Sequence, residues 1–403
     1  MISFEESMQR ISQLNITNVG VEKLFVGNCL GRVLAQDIIA QKNNPEAPTA
    51  AMDGYAIRAQ DQHKKRLKVV AQTPAGSEVQ KVLEEGEAIK TFTGSLMPSG
   101  ADTLIPIEHV KQVGDEIVIV DPVTRGFSVR PVGENFRAGD VLITKGSRIG
   151  FAEIGVMASM NIVMPLVYQK PKVAIIATGS ELLEIGQEQT TTAQLRSSNN
   201  YTIAALIQQH GAQAVQLGTV KDDKGSIIDV FMKALISADI IVSTGGVSVG
   251  DYDFVKDIII EELGANVIFK GVIIKPGQHV MVAQKGNKFI IALPGFAYSS
   301  TVTFMLYVLP IVYKLQAREY KMQIVYATLK EPFIKKSRKT EFTPCNLTIE
   351  DGEFFVDFSG NREGSSAILT NMLGEYKGLV ITDPHENSKE IGEKVRVWLI
   401  NSI

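Results

Sequence analysis

Cysteine is scarce in this chain. Its 403 residues include two, Cys29 and Cys345, far apart in sequence. They form neither a metal-ligand spacing nor a disulfide framework, so a reducing, cytoplasmic setting is expected. Long hydrophobic runs are also missing. The longest, Val302 to Tyr313, is shorter than a bilayer needs and contains Pro310, so it reads as a buried helix and no membrane association is expected. The first residues, MISFEESMQRISQL, carry acids early and lack the basic segment and apolar core of a signal peptide. No excess of one charge exists: the formal net charge is −3, which gives no global reason to bind nucleic acid. Internal repeats and low-complexity segments are absent.

What is present is enough apolar residue for sizeable cores, 45% of a chain long enough for two to four domains. Phe4, Met8, Ile11 and Leu14 share one face of an opening helix. From Lys65 to Ile143, short β-rich runs alternate with Gly, Pro and Asp turns. Composition changes near Pro171, where strands and helices alternate, as in a parallel, doubly wound α/β domain. After about Arg318 the chain is β again, with Asp351-Gly352 as a hairpin turn.

The most informative stretch is Ala238 to Asp253, ADIIVSTGGVSVGDYD. It reads as strand, tight loop and helix. The paired glycines Gly245 and Gly246 admit a ligand without Cβ clashes, and a helix start favours an anion. Asp251 and Asp253 add carboxylates, which beside a phosphate site imply a metal ion. In doubly wound sheets ligands sit beyond the carboxyl ends of the strands. Those ends carry Thr178-Gly179-Ser180-Glu181, Lys221-Asp222-Asp223, the GG loop, Lys275-Pro276-Gly277 and Leu293-Pro294-Gly295. Glycines, carboxylates and a lysine are thus expected on one rim. Each also has a plainer reading: Asp222 or Asp223 can cap the helix at Gly225, and Asp53 can make an Asx-turn. Thr93, Asp102, Glu108 and Glu134 read equally as ordinary loop polar residues, and Lys335-Lys336-Ser337-Arg338-Lys339 as a solvated basic face or an anion patch.

AAMDGYA at 50–56, FTGSLMPSGAD at 92–102, RPVGENFRAGD at 130–140, ATGSEL at 177–182, STGGVSVGDYDF at 243–254, IKPG at 274–277 and LPG at 293–295 occur in this order. Together they resemble the molybdopterin molybdenumtransferases, the MoeA type related to the C-terminal domain of gephyrin. The resemblance implies a multidomain fold: a linking region over 1–25 and 141–168, an inserted β-rich domain over 26–140, a molybdopterin-binding α/β domain over 169–317, and a β-barrel-like domain over 318–403. It implies an elongated homodimer. The implied reaction is magnesium-dependent insertion of molybdate into adenylylated molybdopterin, with release of AMP and molybdenum cofactor. Implied partners are the molybdopterin adenylyltransferase and acceptor molybdoenzymes.

By the same resemblance, Glu181, Asp222 and Asp253 match acidic positions that hold metal or position water. Lys275 matches a lysine near molybdate and phosphate, and Asp53 and Thr93 match inserted-domain positions expected to reach the active site from the partner subunit. Cofactor binding is implied for Thr178, Gly179, Asn199, Thr244, Gly245, Gly246, Val247, Ser248, Gly250, Pro294 and Gly295. Oxyanion binding is implied for Ser248, Lys275, Arg338, Ser365 and Ser366. The chain departs from the pattern in three places: Phe296-Ala297 follow LPG where the family commonly has Asn-Pro, Gln278 replaces a lysine after KPG, and Asn135 replaces an acid. These departures keep open a molybdopterin-binding scaffold, or an insertase with altered preference such as tungstate. A different hydrolase on the same α/β domain is disfavoured by MDGYA and the C-terminal β region.

Overall fold

A computed structural model describes residues 1–77, 81–246, 254–362 and 368–400. Six strands of the α/β region lie in the order Gln213–Val220, Lys172–Thr178, Ile240–Thr244, Lys288–Leu293, Met281–Lys285 and Asn266–Lys270. The first four are parallel, as the alternation predicts. Met281–Lys285 runs antiparallel to both its neighbours, so the sheet is mixed, and Asn266–Lys270 returns to the direction of the first four. The cause is local. Lys285 pairs with Lys288 across Gly286-Asn287, and a two-residue connection can join only antiparallel neighbours.

The parallel strands are apolar runs because both faces are covered. Val173 and Ile175 pack with Ile203, Ile207 and Phe304 on one side. Ala174 and Ile176 pack with Ile227, Phe231 and Ile258 on the other. The expected buried helix forms as two pieces, Ala297–Tyr307 and Leu309–Leu315, with Pro310 in the first turn of the second, where its missing N–H costs little.

The β-rich insert contains a six-stranded sheet, in which Gly54–Ile57 lies between Thr103–Pro106 and Glu87–Thr91. A Cβ at Gly54 would meet the Ile105 carbonyl oxygen at 2.3 Å, so only glycine fits this point of the MDGYA stretch. The loop acids of the insert are largely structural here. Asp102 accepts from the Ala59 amide at 2.8 Å and pairs with Arg125, and Glu134 pairs with Arg130.

In the C-terminal region Ile324–Leu329, Thr340–Glu350, Glu353–Asp357, Lys377–Thr382 and Lys394–Leu399 close into a five-stranded barrel. Its first hairpin turns at Asp351-Gly352, with φ of 49° and 82°, the left-handed pair of a type I′ turn. A further short strand, Ile274–Lys275, pairs in parallel with Thr340–Glu341. This corrects one expectation. Lys275 does not sit at the carboxyl end of an α/β sheet strand. Asn266–Lys270 ends at Gly271, whose φ of 78° turns the chain away, and the KPG segment docks on the barrel instead. Among the described residues, no helix is long and apolar enough to cross a membrane.

Candidate active site

At the carboxyl ends of the parallel strands, Thr178, Val220, Thr244 and Leu293 stand side by side. The Gly179 amide donates to the Val220 carbonyl at 3.1 Å and the Gly245 amide to the Leu293 carbonyl at 3.2 Å, so the loops stay pinned beyond the strands. Gly245 has φ of 92°, and a Cβ there would meet the Thr178 carbonyl oxygen at 2.5 Å. Its loop can pass so close to Thr178 only as glycine. Gly295 packs on Gly245 from the other side: its Cβ position is 3.5 Å from the Gly245 Cα. Asn199 locks that contact, donating Nδ2 to the Gly295 carbonyl at 2.7 Å while its Oδ1 accepts from Ser300 at 3.2 Å. Asn199 therefore shapes the rim with both ends of its amide.

The two neighbouring acids Asp222 and Asp223 have separate tasks. Asp223 is the N-cap of the helix Lys224–Ser237 and accepts from the Ser226 amide at 3.0 Å. That amide and hydroxyl hold the Asp223 carboxyl below its usual range. Asp222 faces the first loop instead. Its Oδ2 accepts from the Ser180 amide at 3.0 Å, and its own amide donates to the Ser180 Oγ at 3.2 Å. Glu181 belongs to the same corner: its Oε2 lies 2.8 Å from the Cβ position of Gly179, a space a side chain would fill. Asp222 is half-buried and Glu181 exposed, so oxygen ligands are open to solvent on the rim. Among the described residues, no three His, Cys, Asp or Glu side chains gather into a metal site. Asp253 lies outside the described residues, as do Val247, Ser248, Gly250, Asp251, Ser365 and Ser366. Thr244 is buried with its hydroxyl unpartnered, a polar group at the end of the central strand.

Lys275 opens onto a different place. A cavity of about 360 Å³ lies between the first turn of the helix Ala297–Tyr307 and the barrel. Its wall holds three cations, Lys275, Lys336 and Arg362, and two acids, Glu331 and Glu341. Tyr298, three residues beyond Gly295, is also in the wall and donates its hydroxyl to the Phe342 carbonyl at 2.6 Å. Burial pushes the Tyr298 phenol well above its ordinary range, so it stays protonated. The basic run is split between tasks. Lys335 donates to the Lys339 carbonyl and the Thr382 hydroxyl, Lys336 lines the cavity, and Arg338 is exposed. Lys339 hydrogen-bonds the Gln278 side chain, so a cation from the barrel reaches the position where the family commonly carries a lysine. Burial lowers the Lys335 ammonium pKa, and Glu341 opposes that shift.

Asp53 and Thr93, distant in sequence, touch. The Thr93 amide and hydroxyl both donate to Asp53 Oδ1, at 2.8 and 2.7 Å. These bonds hold the Asp53 carboxyl below its usual range. Both residues are exposed on the insert. Sequence reasoning missed Tyr298, Glu341 and Arg362. Glu341 follows the basic run at 335–339, Arg362 precedes the Ser365-Ser366 pair and Tyr298 follows the Phe296-Ala297 departure, but no local pattern singles out these three side chains.

Comparison with known proteins finds relatives along nearly the whole chain. Residues 2–161 match a family described as "MoeA N-terminal region (domain I and II)", and residues 174–314 match one described as "Probable molybdopterin binding domain". A curated molybdopterin molybdenumtransferase of Nostoc sp. is 36% identical over 378 residues, covering 91% of this chain and 86% of that protein. One from Staphylococcus epidermidis is 33% identical over 380 residues, covering 92% of this chain and 90% of its own. The crystal structure of a molybdopterin biosynthesis MoeA protein from Pyrococcus horikoshii OT3 superposes with a TM-score of 0.84 at 27% identity, covering 99% of this chain and 100% of that one. A strand-end rim, a closed barrel and relatives of this identity over nearly the whole length leave one conclusion: the chain belongs to the MoeA family of molybdopterin molybdenumtransferases, and is an enzyme of the transferase class.

Proposed function

We propose that this protein inserts molybdate into adenylylated molybdopterin, with water cleaving the phosphoanhydride and AMP leaving. The observation that carries this reading is a three-cation cavity whose wall begins three residues after the glycine that closes the strand-end rim. The rim suits a pterin diphosphate. Gly245 and Gly295 let the loops pack closely at the strand ends, and the start of the helix Ala297–Tyr307 beside them favours phosphate oxygens. The cavity suits a small tetrahedral oxyanion, because Lys275, Lys336 and Arg362 offer ammonium and guanidinium donors. Lys275, a cation on the cavity wall, stabilises negative charge that develops when the anhydride opens.

Glu181 and Asp222 have the oxygen donors that magnesium prefers, with Asp253 as a third candidate. Few protein ligands suffice, since magnesium keeps several waters. Bound there, magnesium would neutralise charge on the phosphates. The Asp222 carboxylate is oriented by the Ser180 amide, which leaves its other oxygen to hold a water or a metal ligand. Asp53 and Thr93 form a prearranged polar pair on the insert, and we assign them to the active site of a second subunit in a homodimer. The substrate is supplied by a molybdopterin adenylyltransferase, and the product passes to acceptor molybdoenzymes. The work is placed in the cytoplasm.

The test is AMP release from adenylylated molybdopterin with magnesium, in the presence of molybdate, tungstate or neither. Release that depends on the oxyanion supports the reading. Nucleotide binding without any AMP release would favour the scaffold alternative. Phe296, 57% exposed beside the rim, is the observation that keeps this alternative in view.

A further inference from the structure

The cavity wall contains a carboxylate that an anion site would not be expected to keep. Glu341 is 3% exposed, and its Oε1 has no hydrogen-bond partner. Leaving a carboxylate oxygen buried and unbonded is costly unless a countercharge faces it. The countercharge is Lys275. The two residues are register partners in the short parallel pairing that docks the KPG segment on the barrel. Lys275 Nζ stands 3.6 Å from Glu341 Oε1, an ion pair too long for a hydrogen bond. The pair is lopsided: the Lys275 side chain is 46% exposed and the Glu341 side chain 5%. Glu341 is fixed by its strand, which pairs on its other side with Thr382. The more exposed lysine is the member with room to turn.

We infer that Glu341 is a positioning residue that holds Lys275 at the cavity wall and competes with an incoming oxyanion for its ammonium. This deepens the proposed function and rests on its assignment of the cavity to an oxyanion. Glu341 holds the part-exposed Lys275 ammonium beside the cavity wall. When a doubly charged tetrahedral anion enters, the ammonium turns toward it. Because a carboxylate remains behind the ammonium, the anion is held less tightly than three cations alone would hold it, and it can leave or be passed on. The other charged groups of the wall are Lys336, Arg362 and Glu331, and Glu331 already accepts from the Phe358 amide. Lys335 feels both Glu341 and Lys275 but donates to Lys339 and Thr382. Glu341 is thus the one acid of the described wall paired with a cavity cation.

The experiment is calorimetric titration of the full chain with molybdate alone. Wild type, Glu341→Gln, Lys275→Ala and the double variant are compared, with Tm recorded for each. Releasing the Lys275 ammonium from a competing carboxylate should tighten molybdate binding about tenfold in Glu341→Gln. In the Lys275→Ala background the same change should alter affinity less than about twofold, because the competition needs the lysine. Glu341→Asp, one methylene shorter, should fall between, and replaces Glu341→Gln if that variant does not fold. A merely structural carboxylate would lower Tm and leave affinity where it was, which overturns the inference. Equal tightening with and without Lys275 overturns it too. If wild type binds no molybdate at all, the oxyanion reading of the cavity falls and takes this inference with it. If wild type binds and Glu341→Gln binds equally, only the role of Glu341 is lost.

Discussion

The strand-end rim and the barrel-side cavity lie on either side of one helix start, and they are built differently. The rim is backbone: glycines packed on each other, amides pinned to carbonyls, and two acids, one of them ordered by Ser180. The cavity is side chain: ammonium and guanidinium groups set against a buried glutamate. A backbone site is rigid and recognises shape and phosphate, whereas a side-chain site can trade partners. On the proposed function, the difference would let one chain hold a large planar substrate still while a small anion enters and leaves. It also predicts that variants on the two sides fail in different ways.

The largest effect is expected at Lys275. Lys275→Ala should lower oxyanion-dependent AMP release by about 10²–10³-fold, the scale for losing a donor that stabilises charge in a transition state. Nucleotide affinity, measured by calorimetry, should change little. If affinity collapses instead, Lys275 belongs to the rim and the comparison breaks.

Gly245→Ala should do the reverse. A side chain at φ 92° against the Thr178 carbonyl costs about 2–4 kcal/mol in strain and displacement, and should lower Tm and nucleotide affinity together. Molybdate binding should survive in the folded fraction. Loss of molybdate binding at unchanged Tm would show that the two sites are one.

Subunit mixing sharpens the third element. If Asp53 serves the partner's site, Asp53→Ala and Lys275→Ala chains, each inactive alone, should regain about a quarter of wild-type activity when mixed, since half the dimers carry one intact site. No recovery would put Asp53 beside the rim of its own chain. Activity should also fall in acid as Asp53 becomes protonated. The depressed pKa places that loss below the ordinary carboxylate range, and Thr93→Ala should move it upward.

The smallest effect is expected away from both sites. His210 hydrogen-bonds the Tyr313 hydroxyl at 3.1 Å, and its pKa is lowered by burial and by Arg148 and Arg318. Its folded pKa is below the unfolded one, so the unfolded state binds more protons between the two. Stability is full above the unfolded value near 6.5 and is lost as pH falls toward the folded value. Thermal melts of His210→Gln between pH 7.5 and 5.5 should therefore show a shallower decline than wild type.

Much of this architecture was legible in the sequence for a physical reason. Parallel strands buried on both faces must be continuous apolar runs, so Val173–Ala177 and Ile240–Val242 announced themselves, and the residues after them marked the rim. Gly245 and Gly246 were readable because a close approach needs glycine, whereas Gly54, among Pro and Gly punctuation, reads as part of a surface turn and instead begins a buried strand paired on both sides. Lys275 was placed on the wrong sheet: a two-residue strand has no periodicity, and its partner Thr340–Glu341 lies over 60 residues later in the chain. Glu341 and Tyr298 were invisible for the same reason, as their roles come from tertiary packing rather than local pattern. The choice between Asp222 and Asp223 needed the helix itself, which took Asp223 as its cap.

The most direct test of the central claim is AMP release from adenylylated molybdopterin by the wild-type protein with magnesium, with and without molybdate. The account predicts release that requires the oxyanion and is lost in Lys275→Ala while nucleotide still binds. Release that proceeds equally without any oxyanion, or is unchanged in Lys275→Ala, would contradict it.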